Sequence, residues 1–171
     1  MATLLIASVG ALDANSYCTL AEANSYHDTR LHNSDWLAAT DPNKEKALLW
    51  ATRLLDTHYD FRGFPVSLSQ ALRWPRTGIF NRDGIYISPL TIPKDIKMAQ
   101  MELALSLLLE DRTIDSDTIG LKSLKVDVIQ LEFDSSQTKE PITQSVQSLL
   151  APYGTYLMSA NTPVNVQLVR G

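Results

Sequence analysis

Hydrophobic residues recur at helical spacing in the first part of the chain. Thr19 and Glu22 have the spacing of a capping box, in which each side chain binds a free backbone N–H at the start of a helix. They predict a helix of about 13 residues that ends near His32. A second helix is predicted to begin at Asp41, with Asp41 as the cap and Pro42 at the first helical position. Its apolar side carries Ala47, Ala51, Leu54, Leu55 and His58.

The strongest helical pattern follows Pro93 and is predicted to run to about Asp111. Its apolar residues form two nearly opposite faces. One face carries Ile96, Ala99, Leu103 and Leu107, and the other carries Met98, Met101, Leu105 and Leu109. A helix that is apolar on both sides is buried on both sides. It is therefore either the central helix of a bundle or a helix shared between the core and a neighbouring subunit.

The section between these helices, residues 61–90, is irregular and rich in glycine and proline. Within it, Asn81 to Gly84 followed by Ile85, Tyr86 and Ile87 predicts a small hairpin that turns on Asp83 and Gly84. A loop section of this length inside a compact domain is usually functional.

Beyond Gly120 the pattern changes to short strands and one short helix. Residues 124–133 read as a strand whose alternation slips at Val128 and Ile129, as a bulge would cause. Pro141 begins a short helix, and residues 164–168 alternate again, which suits either strand addition to another chain or a frayed tail. Residues 1–9 read as a strand or an arm, without the basic flank of a signal segment.

These elements predict a mainly α fold: a helical bundle with a long ordered loop or hairpin and a small β-containing C-terminal arm. We place the helical-bundle domain at residues 1–120 and a strand–helix–strand arm at residues 121–171. A chain of 171 residues with 44% hydrophobic content can bury a core of its own. The single Cys18 cannot form an internal disulfide, which favours a reducing compartment and a buried, apolar role for the thiol.

The net charge is −4 and the pI is near 5.3. This balance argues against a surface that neutralises nucleic-acid phosphates throughout. The charge is unevenly distributed. The section from Arg53 to Lys97 holds seven basic and four acidic residues and therefore has a net charge of +3. Such segregation is consistent with one mildly basic surface on an acidic body.

No catalytic constellation is present in the sequence, so we expect neither an enzyme nor a cofactor. His27 and His32 do not share a helical face, and His58 lies on the apolar side of its helix. Asp56 and Asp60 are four residues apart and could together hold a divalent ion, although two carboxylates alone are a weak signal. We therefore expect no catalytic residues and no metal site.

Arg73, Trp74 and Arg76 surround a proline-containing turn, and three interpretations stay open for them. Arginines beside an aromatic ring are typical of single-stranded nucleic-acid binding. The same side chains dominate protein interfaces. In the third interpretation Trp74 fills the bundle and the arginines pair with Asp56 or Asp60.

Several motifs occur together in the order found in a family of phage proteins labelled DnaT-like single-stranded DNA-binding. They are ANSY at 14–17, TLAEA at 19–23, Trp36, ALLWATRLLD at 47–56, QALRWPR at 70–76, Gly84, and Ile92 with Pro93 before the long helix. The resemblance covers about residues 10–110. Members resemble head-to-tail connectors of tailed bacteriophages, small helical subunits that form a ring, commonly twelvefold, beneath the portal.

The resemblance implies a structural virion protein that is made in the bacterial host cytoplasm and joins capsid to tail. Its implied partners are the portal protein, other copies of itself, tail or nozzle proteins, and genomic DNA that passes without sequence-specific binding. We expect an interface or channel loop at Arg73, Trp74, Arg76 and Arg82, and docking on the portal or a neighbour at Val164, Val166, Leu168 and Arg170. The alternative is a single-stranded DNA-binding protein of the DnaT-like type.

Overall fold

The computed structural model describes residues 5–113, 123–126, 129–132 and 140–157. The fold is mixed α/β and mainly helical, so the predicted predominance of helices is confirmed. The helices are α1 (Leu20–Asp28), α2 (Ser34–Ala38), α3 (Asp41–His58), α4 (Lys94–Leu109) and α5 (Gln144–Leu150). The strands are β1 (Tyr59–Phe61), β2 (Phe64–Pro65), β3 (Arg76–Thr77), β4 (Ser123–Val126), β5 (Ile129–Glu132) and β6 (Gly154–Tyr156).

The starts of the first helices follow the capping signals closely. The predicted capping box is confirmed, since the Glu22 N–H donates to Thr19 Oγ1 at 3.2 Å and the Thr19 N–H donates to Glu22 Oε2 at 2.8 Å. α1 ends at Asp28, four residues before the predicted end, and the Asn33 side chain binds the carbonyl of His27 there. α3 begins at Asp41 with Thr40 as its cap, so the prediction of Asp41 as the cap is wrong by one residue.

α4 is the central helix of the core, packing against α1, α2, α3 and α5. Ile96, Ala99 and Leu103 are buried on one predicted face, and Met101 and Leu105 are buried on the other. The burial of both faces within a single chain supports the central-helix interpretation. The last position of the second face, Leu109, is exposed.

The strands form three small antiparallel pairs: β1 with β6, β2 with β3, and β4 with β5. The prediction of one bulged strand over residues 124–133 is wrong, because β4 and β5 form a hairpin in which Leu124 faces Leu131. The predicted hairpin at 81–87 is confirmed as a single bridge between Phe80 and Tyr86, with Gly84 at a φ of 75° in its turn.

The described part of the predicted C-terminal arm packs on the rest of the chain. Its buried residues Ile142, Val146, Leu150 and Tyr153 belong to the same core cluster as α3 and α4. The division at residue 120 stays a prediction. Within the described ranges, no helix combines the length and apolar character needed to cross a membrane.

A buried glutamine links three parts of the core. Gln100 Oε1 accepts a hydrogen bond from the Tyr17 N–H at 3.1 Å. Its Nε2 lies 2.7 Å from Ser16 Oγ, 2.8 Å from Thr52 Oγ1 and 3.1 Å from the Leu48 carbonyl oxygen, and its two N–H groups are shared among these three acceptors. The segment before α1 is thereby fixed against α3 and α4, because a buried amide is stable only when its hydrogen bonds are made.

His27 is buried without hydrogen-bond partners for its ring nitrogens among the described residues. Its ring lies 4.2 Å from that of Trp36, centroid to centroid, and the edge of Tyr26 lies beside it. Burial lowers the pKa of His27; Arg30 and Lys44 act in the same direction, whereas Glu102 and the Met101 backbone oppose it. The neutral imidazole is therefore part of the folded core.

We expect the free energy of unfolding to fall as the pH drops below the ordinary histidine pKa of about 6.5. The unfolded chain then binds a proton that folded His27 does not, which costs up to about 1.4 kcal/mol per pH unit until the folded pKa is reached. Urea unfolding between about pH 5 and 6.5 measures this slope. His27→Phe should flatten it, whereas His32→Gln, at an exposed histidine, should leave it unchanged. If His27→Phe showed the same dependence of the free energy of unfolding on pH as the wild type, the assignment of this dependence to His27 would be wrong.

Candidate nucleic-acid interface

The loop that carries the arginine and tryptophan motif divides its side chains between the core and the surface. Trp74 is only 1% exposed and meets the rings of Phe61 and Tyr153 edge to face, with 5.8 Å between centroids in each case. This burial supports the third interpretation, in which Trp74 fills the bundle. In this conformation its ring is not available for stacking on a base.

Arg76 is buried and holds the loop through backbone carbonyls. Its Nε donates to the Arg62 carbonyl at 2.7 Å, and its terminal nitrogens donate to the carbonyls of Phe61, Gly63 and Arg73 at 2.7–3.2 Å. The carbonyls take the place of the predicted carboxylate partners, so the predicted ion pairing with Asp56 or Asp60 is wrong for Arg76. The guanidinium therefore connects the two sides of the loop through hydrogen bonds to their backbone carbonyls.

Gly63 permits this arrangement. Its φ is 68°, and a Cβ at this position would lie 2.2 Å from the Thr77 carbonyl oxygen. A side chain would therefore push β2 and β3 apart.

Asp56 connects the loop to α3 and to the segment before α1. One carboxylate oxygen accepts from the Tyr17 hydroxyl, and the other accepts from the Arg73 backbone N–H at 3.1 Å. Burial raises the pKa of Asp56, while these two donors and the charges of Arg73 and Arg76 act in the opposite direction. The pairing between Arg73 and Asp56 thus involves the backbone of Arg73 and leaves its exposed guanidinium free to face solvent.

The other predicted interface residues lie elsewhere. Arg82 is exposed on the 81–87 hairpin, and its guanidinium donates to the Ser148 carbonyl at 2.9 Å. Val164, Val166, Leu168 and Arg170 lie outside the described residues, so the docking assignment stays a prediction.

A groove runs between α3 and the loop 65–73, and we call it the α3 groove. Its volume is about 820 Å³, at the upper end of the range of roughly 300–1,000 Å³ for small-molecule sites. The helix contributes Leu49, Thr52, Arg53, Asp56 and Thr57; the loop contributes Pro65, Ser67, Leu68 and residues 70–73; and Ala14 and Asn15 complete the lining. Arg53 from the helix and Arg73 from the loop therefore line one space, which Asp56 also lines.

Trp50 stands beside this groove, next to the lining residue Leu49. It is 39% exposed, whereas Trp36 and Trp74 are 0% and 1% exposed. The Arg53 guanidinium lies over the Trp50 ring, 5.0 Å from its centroid. Our sequence reasoning missed Trp50 and Arg53 as site residues, although the position of Trp50 off the apolar side of α3 was a usable signal.

Cys18 and Asp56 lie in surroundings that limit their reactivity. Burial raises the pKa of the Cys18 thiol to about 12, so the group is a protonated core side chain and a poor nucleophile. No three of the His, Cys, Asp and Glu side chains in the described ranges come together as a metal site. Asp56 is engaged with Tyr17 and Arg73, which leaves it poorly placed to share an ion with Asp60.

The fold and this groove define a mainly helical protein with exposed guanidinium and indole groups at one surface. The chain belongs to the family described as "Putative DnaT-like ssDNA binding protein", whose model matches residues 2–171. That description agrees better with single-stranded DNA binding than with a head-to-tail adaptor, and it gives no support to portal, ring or tail partners. No curated protein and no solved structure matches the chain.

Proposed function

We propose that this protein binds single-stranded DNA and catalyses no reaction. The observation that carries the proposal is the family match over residues 2–171. The exposed arginines of the α3 groove and the neighbouring Trp50 support it, because proteins that bind single strands combine cationic groups with aromatic rings.

The net charge of −4 limits this binding to a small part of the surface. Phosphate neutralisation provides most non-specific affinity for nucleic acids, and each neutralised phosphate adds about −0.7 to the salt slope for a single strand. With two arginines on the groove, we expect a slope of about −1.4 in log K against log[salt]. The binding is therefore modest and only moderately dependent on salt.

Fluorescence anisotropy of a labelled oligothymidine, titrated with the full chain at several salt concentrations, tests the proposal. We expect saturable binding at low salt, the slope given above, and weaker binding to a duplex of the same length. Absence of binding to the single strand at about 20 mM salt would contradict the proposal, since low salt strengthens every phosphate contact.

A second candidate is the head-to-tail adaptor, and an exposed apolar surface favours it. Phe64, Phe80, Ile85 and Tyr86 are 49–74% exposed, and we call them the apolar hairpin surface. Phe64 pairs with Thr77, the Thr77 and Tyr86 hydroxyls lie 3.0 Å apart, and Tyr86 meets Phe80 edge to face, so the residues are contiguous. Contiguous exposed apolar groups are typical of protein interfaces.

In that role the chain would form a ring with its own copies between portal and tail, and genomic DNA would pass without being held. Two results together would favour this candidate: the chain is present in purified particles of the phage that encodes it, and the anisotropy titration shows no single-strand binding. Binding in solution together with absence from particles would favour the first candidate.

A further inference from the structure

We propose that the α3 groove is the DNA site: Arg53 and Arg73 bind adjacent phosphates of a single strand, and Trp50 stacks on a base at the rim. This inference rests on the proposed function and assigns it to particular residues.

The charges of the groove favour a phosphate chain. Arg53 and Arg73 are exposed and form no ion pair within 4.0 Å in the part of the chain that the structure describes. Asp56 is the only carboxylate among the lining residues, and both of its oxygens accept hydrogen bonds from within the protein. One guanidinium from the helix and one from the loop can therefore contact neighbouring phosphates, whose oxygens match the planar donor geometry of arginine.

Trp50, at the rim of the α3 groove, provides an aromatic surface on which a base can stack. Trp50 is the exposed tryptophan of the chain, and Arg53 covers one part of its ring. Stacking of a base on an aromatic ring strengthens binding and does not depend on sequence. A strand with its phosphates at the arginines places a neighbouring base within reach of Trp50, because Arg53 contacts both the groove and the ring.

The groove also selects a single strand over a duplex. α3 forms one side of the groove and the loop 65–73 forms the other, and the volume between them is about 820 Å³, within the range of small-molecule sites. A paired base cannot turn its face to Trp50 without leaving the stack, which is unfavourable.

The test compares single variants of the full chain in the anisotropy titration with oligothymidine. Arg53→Gln and Arg73→Gln should each weaken binding severalfold and reduce the salt slope by about 0.7. Trp50→Ala should weaken it roughly tenfold with the slope unchanged. Lys94→Gln is the matched control, because it removes one exposed positive charge that does not line the groove, and it should bind like the wild type.

A second readout follows Trp50 directly. Because Trp36 and Trp74 are buried, oligothymidine should quench mainly the fluorescence of Trp50, and the quenching should disappear in Trp50→Phe. The substituted side chains are exposed, so thermal unfolding should show folded variants with nearly unchanged stability.

The possible outcomes distinguish the assignment of the DNA site to the α3 groove from the proposal that the protein binds DNA. If the wild type binds and the three groove variants bind equally well, the groove assignment is wrong while DNA binding stands. If the arginine variants weaken binding and Trp50→Ala does not, the stacking proposal is overturned. If the wild type does not bind, the proposed function fails and the groove assignment fails with it. Equal affinity for a duplex also contradicts the groove assignment.

Discussion

Trp74→Ala is expected to lower the free energy of unfolding by about 3–5 kcal/mol, the usual cost of truncating a large buried aromatic side chain. The indole fills the space between Phe61 and Tyr153, which come from distant parts of the chain. Its removal leaves a cavity where β1, the loop and the segment after α5 meet. Urea unfolding followed by far-UV circular dichroism measures the loss.

Two matched variants make this result specific. Trp50→Ala removes the same side chain from a site where it is 39% exposed, so it should cost clearly less than Trp74→Ala. Trp74→Phe should cost less than Trp74→Ala, because Phe retains much of the volume and removes an indole N–H that has no partner in the described residues. Equal losses for Trp50→Ala and Trp74→Ala would show that Trp74 does not support the core.

Arg76→Met is expected to destabilise the fold by about 3 kcal/mol or more. Hydrogen bonds to a charged group contribute about 1.5–3 kcal/mol each, and the variant leaves several carbonyls without their donor. Met keeps the apolar stem, so the loss reports the guanidinium itself. The measurement is again equilibrium unfolding in urea.

Arg76→Lys tests whether charge alone is sufficient. A lysine ammonium cannot reproduce the planar set of donors, so we expect it to recover only a small part of the stability. Arg73→Met, at the exposed arginine of the same loop, should change stability by about 0.5 kcal/mol or less. If Arg76→Lys had the stability of the wild type, the hydrogen bonds of the planar guanidinium would not be what stabilises the loop.

The helices were largely predictable from local signals. The capping box at Thr19 and Glu22 and the two apolar faces of α4 are properties of short sequence windows, and both appear in the structure. The hairpin formed by β4 and β5 was not predictable in the same way. A break in alternation has the same appearance for a bulge and for a reversal of the chain, and strand pairing decides between them.

The candidate site was only partly predictable, because its residues come from segments that are distant in sequence. The motif at 70–76 suggested one recognition loop, yet Trp74 and Arg76 turn inward and Arg73 turns outward. The partner wall is α3, which contributes Arg53 from twenty positions upstream. No local pattern shows that a tertiary contact will place two arginines on opposite sides of one space.

The hydrogen bonds of Asp56 affect the affinity that the α3 groove can have for a ligand. The carboxylate fixes the Arg73 backbone to α3 and, through Tyr17, to the segment before α1. The loop wall is therefore held in place in the unbound protein, and in the proposed DNA complex association would not have to order it at the expense of affinity. In the proposed DNA complex, this preorganisation would allow a small number of contacts to be sufficient for binding, although the protein carries little positive charge.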